Sequence, residues 1–169
     1  MPININLRDI PTRELLLAYK EEMSEINITN VLLYLDFQKV ARDLSKNYDS
    51  FIETFQLTEA KFTLMMLLYR ENSKSLTPIE LSKKAGVKKA TITGLLAGLE
   101  KSEFIIREKN INDGRSTMIV LSKKGIAKLK EFLPYNYLKA NKMMDVLSDV
   151  EKENLQLILN KIKGDTNNE

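Results

Sequence analysis

The residues best equipped for chemistry lie between Lys88 and Arg115. Lys88-Lys89-Ala90-Thr91-Ile92-Thr93-Gly94 brings two ammonium groups, two hydroxyls and a position without a side chain into one short run, and Arg115 follows an Asn112-Asp113-Gly114 turn. Ammonium groups neutralise phosphates, hydroxyls bond phosphate oxygens or base edges, and glycine raises no steric wall. This is the chemistry of holding a polyanion, not of making or breaking bonds. The chain has no cysteine and no histidine. Thiol redox sensing, thiolate ligation and the commonest general base and metal ligand are thereby removed. No glycine-rich phosphate loop or nucleophile elbow is present either. We therefore expect no catalytic residues, no metal, no cofactor and no enzyme.

Charge is unevenly placed. Lys74 to Lys130 holds thirteen Lys or Arg against five Asp or Glu, net +8, in a chain whose total is +3, so the remainder sums to −5. Such localisation suits nucleic-acid binding, with a solvated lysine-rich face as the plainer alternative.

The surrounding elements explain how these groups are held. Thr77-Pro78-Ile79-Glu80 is a capping box with proline at the first helical position, and Gly86 suits the left-handed residue after a last turn. This predicts a short helix with Ile79, Leu81 and Ala85 inward. Ile92, Leu95, Leu96 and Leu99 then make one apolar helical face, leaving Lys88, Lys89, Thr91, Thr93, Gly94 and Gly98 on the other. Phe104 and Ile106, then Ile119 and Leu121, alternate with other residues on either side of the Asn112-Asp113-Gly114 turn, which predicts a hairpin with Arg115 at its tip. Two helices at a glycine turn followed by a hairpin make a winged helix-turn-helix.

Leu76-Thr77-Pro78 to Leu81, Gly86-Val87, Ala90-Thr91-Ile92-Thr93, Leu99-Glu100-Lys101, Asp113-Gly114-Arg115 and Leu121-Ser122-Lys123-Lys124-Gly125 occur in the order and spacing of the MarR family of bacterial transcriptional regulators, which the chain resembles from about residue 31 to 163. The resemblance implies a mainly α fold with a small β-wing: a winged helix-turn-helix over 57–121 flanked by helical dimerisation regions at 30–56 and 122–164. It implies a cytoplasmic bacterial homodimer, nucleoid-associated when bound. As a regulator, more often a repressor, it would read a pseudo-palindromic operator in double-stranded DNA. Lys88, Lys89, Thr91, Thr93 and Gly94 would enter the major groove and Arg115 the minor groove, with Asp113 supporting the wing. A small aromatic or anionic effector is a further implied partner, its pocket assigned by helix phase to Phe37, Phe62, Met66 and Tyr135. The competing reading is a winged-helix protein-interaction module with weak or no DNA binding. The chain departs from the family where Lys88 replaces a capping Ser or Thr, and where Gly94 and Gly98 replace residues that are often basic.

Outside this region, residues 1–29 form an N-terminal extension in which Pro11-Thr12 introduces a candidate extra helix ending near Met23. A long helix is predicted from Asn30, with a break around 47–50, and a second helix, with Phe62, Met65, Met66, Leu68 and Tyr69 inward, runs to about Arg70. Glu71 to Ser75 reads as a polar loop. Ser122 caps a helix in which Pro134 predicts a kink or break. Ser148-Asp149-Val150-Glu151 caps a last helix that Gly164 should end, leaving 165–169 as a disordered tail. The first long helix and the last two carry more apolar residues than one stripe can bury, which calls for a second subunit. No apolar run reaches the length of a membrane span, and the protein is expected to be soluble.

Overall fold

The computed structural model describes residues 11–23, 25–109 and 116–166. The chain divides into two compact units, 1–58 and 59–169.

In the first unit, Thr12 caps α1 (Arg13–Glu22) by accepting from the Leu15 amide, and Asn27 caps α2 (Ile28–Glu53) through the Asn30 amide. The predicted break at 47–50 does not occur. Asn47, Asp49 and Ser50 are only modestly poor helix formers, and neighbouring rings carry the helix through, with Tyr48 and Phe51 centroids 6.3 Å apart and Phe51 and Phe55 5.5 Å apart. Helix α1 packs on α2, burying Leu16 and Ile28. Leu33, Tyr34, Phe37, Val40 and Leu44 remain exposed along α2.

The second unit is built around α3 (Glu59–Arg70), whose Leu64, Met65 and Leu68 are fully buried. It packs against α4 (Pro78–Ala85), α5 (Lys89–Lys101), α6 (Lys123–Met144) and a small antiparallel sheet. Phe62 meets Phe132 of α6 edge to face at 5.0 Å. The sheet has the order β1 (Ser75–Leu76), β3 (Thr117–Leu121), β2 (Ile105–Lys109). Ser75 thus belongs to a strand, not a loop, since it pairs with Val120 and Leu76 with Ile119. So short a strand has no periodicity of its own and exists only through a distant partner.

Two inward assignments also change. Ile79 is 50% exposed while Leu81 is fully buried. Two residues turn a helix by about 200°, so these two side chains cannot share a face. In β2 it is Ile105, paired with Leu121, that is buried, and Ile106 is exposed. Phe104 is buried too, but it precedes the strand, next to Glu103 at φ 60°, so strand alternation does not run through it.

Helix α6 continues through Pro134 without a break. The proline denies Lys130 its hydrogen bond, yet both residues are exposed, so water can satisfy the Lys130 carbonyl. Helix α7 (Asp149–Thr166) likewise passes Gly164. A glycine without left-handed backbone weakens a helix but does not end it; Asp165 and Thr166 are therefore helical, and 167–169 lie outside the described residues. Tyr135, Tyr137 and Leu138 on α6, and Val150, Leu157, Ile158 and Ile162 on α7, are exposed.

Candidate nucleic-acid interface

The capping box at Thr77 is complete: its hydroxyl accepts from the Glu80 amide at 3.2 Å, and the Glu80 carboxylate accepts from the Thr77 amide at 2.8 Å. The Thr77 amide first, and then the Thr77 hydroxyl, which donates to the same carboxylate oxygen at 2.8 Å, hold the Glu80 carboxyl below its ordinary range. Gly86, at φ 66°, closes α4, and the Val87 amide donates to the Ser82 carbonyl. The turn delivers the chain into α5, whose Ile92, Leu96 and Leu99 are buried.

Lys88, Lys89, Ala90, Thr91, Thr93 and Gly94 are all exposed. The structure thus brings five of the predicted contact residues together at the first turns of one helix. Lys88 occupies the N-cap position without a side-chain cap, so the first α5 amides lack a side-chain acceptor and the positive end of the helix dipole faces outward. Among the described residues neither Lys88 nor Lys89 has an ion-pair partner. Other cations nearby are engaged: Lys84 with Glu71, Arg107 with Glu100 (both 3.0 Å) and Lys124 with Glu103. Arg115 and Asp113 lie outside the described residues, between β2 and β3.

Gly98 has a role that spacing alone hides. A Cβ there would sit 3.2 Å from Lys61 Cε, so α5 offers a groove in which the Lys61 chain of α3 lies. Lys61 therefore lies beside α5, although no sequence pattern connects the two positions.

The run from Leu121 to Gly125 anchors the hairpin. Ser122 donates through its hydroxyl to the Glu103 carbonyl at 2.7 Å, through its amide to the Phe104 carbonyl at 3.0 Å, and accepts from the Gly125 amide at 2.9 Å. Lys124 pairs with the Glu103 carboxylate at 2.6 Å and holds that group below its ordinary range. One short motif thus caps α6 and fastens the junction between α5 and β2.

Of the predicted effector residues, Phe62 and Met66 line a hollow of about 220 Å³ on the α3–α6 face, with Arg70, Asn136 and Tyr137. Tyr135 is exposed and does not line it; Phe37 is on α2, in the other unit. Tyr137 escaped the helix-phase assignment because only the packing of α6 on α3 selects it.

A helix pair at a left-handed glycine, an outward basic helix and a sheet with a hairpin define a winged helix-turn-helix protein. The family model described as MarR family matches residues 57–117. The HTH-type transcriptional repressor YetL of Bacillus subtilis (strain 168) is 32% identical over 149 residues, covering 88% of this chain and 89% of that protein. The chain belongs to the MarR family, and is a transcription regulator and not an enzyme. Solved structures share its fold. Sco3205 of Streptomyces coelicolor, a MarR family regulator in complex with DNA, matches with a TM-score of 0.72 at 19% identity, covering 82% of this chain and 88% of that one. The organohalide-sensing RdhR regulator, in its 2,4-dichlorophenol-bound form, matches with a TM-score of 0.70 at 19% identity, covering 96% and 89%.

Proposed function

We propose that this regulator is a cytoplasmic homodimeric repressor that reads a pseudo-palindromic operator, one half-site per subunit. The observation that carries the reading is the grouping of Lys88, Lys89, Thr91, Thr93 and Gly94 on the exposed start of α5, with both lysines unpaired among the described residues. In a major groove this end brings two cations and the helix dipole to the phosphates and hydroxyls to the bases. Arg115, braced by Asp113, enters the flanking minor groove, most favourably where A·T pairs narrow it.

The exposed apolar faces of α2, α6 and α7 support dimerisation through segments 30–56 and 122–164, because isolated subunits would leave them in water. For the effector, the hollow lined by Phe62, Met66 and Tyr137 with Arg70 at its edge suits a small aromatic anion, and RdhR is a relative in fold with a chlorophenol bound.

Footprinting on the DNA upstream of the protein's own gene tests this. The expected result is a protected inverted repeat with half-sites about one duplex turn apart. A folded dimer that protects no such repeat at about 50 mM salt, where phosphate contacts are strong, refutes the proposal and leaves the protein-interaction module standing.

A further inference from the structure

From Lys88 to Leu99 the chain contains no Arg, Asn, Gln, Asp or Glu, so most of the reading helix carries none of the forked side chains that bond two atoms of one base. Lysine can reach guanine, but both lysines sit at the helix opening. Thr93 Oγ1 donates to the Lys89 carbonyl at 3.0 Å, which uses its only proton and leaves that side chain an acceptor oxygen and a methyl group. Ala90, Gly94 and Ala97 are exposed beside it, and Thr91 is exposed on the other flank of the helix.

Gly94 separates a packing explanation from a reading one. Its backbone is helical, and a Cβ built there meets nothing within 4 Å. Glycine weakens a helix relative to alanine, and nothing in the fold requires it here. Gly98 differs, because Lys61 lies against it.

We propose that α5 recognises thymine through its methyl group. Ala90 and the methyl of Thr93, three residues apart on one face, pack against the C5-methyls of A·T pairs, and Gly94 lets the helix backbone approach closely enough for them to touch. The C5-methyl is the apolar feature of the major-groove edge. Lys88 and Lys89 supply attraction to phosphates with little choice of sequence. The inference rests on the DNA-binding reading above and names the base chemistry that the helix selects.

The test begins with duplexes selected from a random-sequence pool. Each thymine of the recovered half-site is replaced singly by deoxyuridine, which removes the methyl and nothing else. Thymines facing α5 should weaken binding by about fourfold each on losing the methyl, the factor for burying one such group. Gly94→Leu should weaken binding by about tenfold or more, the scale of one mismatched base pair, without lowering the unfolding midpoint. A recovered half-site in which every deoxyuridine is tolerated within about twofold, or in which guanines alone face α5, overturns methyl reading while DNA binding stands. Failure to recover any preferred sequence overturns both.

Discussion

Replacing Gly125 by alanine tests how tightly the start of α6 is seated on the hairpin base. A Cβ at Gly125 would lie 2.9 Å from Leu121 Cδ1 and 3.1 Å from the Phe104 carbonyl carbon, and closer still to its oxygen. Relaxed carbon contacts are about 3.5–4.0 Å, so the methyl needs on the order of 1 Å that a backbone carbonyl must yield. That carbonyl also accepts from the Ser122 amide, and moving it loosens the cap of α6. Overpacking of this kind costs up to about 3 kcal/mol, and the helix preference of alanine over glycine returns about 1 kcal/mol. The expected net loss is about 2 kcal/mol, or roughly 6 °C in Tm for a chain of this size. Gly164→Ala is the internal control: its Cβ meets nothing within 4 Å and it is exposed in α7, so the same substitution should raise stability by up to about 1 kcal/mol. Urea unfolding at matched protein concentration measures both, since association would make midpoints concentration-dependent. Gly125→Ala within about 0.5 kcal/mol of the parent would mean that α6 does not bear on Phe104, and the reasoning would be wrong.

Three further outcomes follow from the same geometry. Pro134→Ala restores the amide that the Lys130 carbonyl lacks and should stabilise the protein by about 2 kcal/mol in the same urea assay, less than the full cost of about 3 for an interior proline because water already serves the exposed carbonyl. Glu80 and Glu151 have carboxyls held below the ordinary 4.5 chiefly by the Thr77 and Ser148 amides. Their stabilisation is complete above that value and disappears as pH falls through the lowered pKa values. Melts below pH 4.5 should therefore show a shallower acid slope in Glu80→Gln/Glu151→Gln than in the parent, and equal slopes would contradict the caps. Finally, Lys89→Ala should reduce the slope of log affinity against log salt by about one per subunit, with sequence preference unchanged; an altered preference at constant slope would make Lys89 a base contact.

Local chemistry in the sequence was enough for the helix starts. Thr12, Thr77, Ser122 and Ser148 each accept an amide three residues ahead, a pattern written in adjacent positions and independent of the rest of the chain; Asn27 does the same for α2, whose start the apolar periodicity alone puts at Asn30. The same holds for Gly86 and for the α5 face, where residues three and four apart decide what is buried. Tertiary structure decided whatever depended on distant partners. The β1 strand exists because Val120 and Ile119 pair with it. The inward phase of β2 follows from Leu121 opposite Ile105, and Gly98 and Lys61 become neighbours only when α3 lies along α5. Helix endings fell between the two: Gly164 and Pro134 look like terminators, yet a solvated carbonyl and an open helix face let the chain continue, because a local penalty of about 1–3 kcal/mol stops a helix only when nothing else favours its extension.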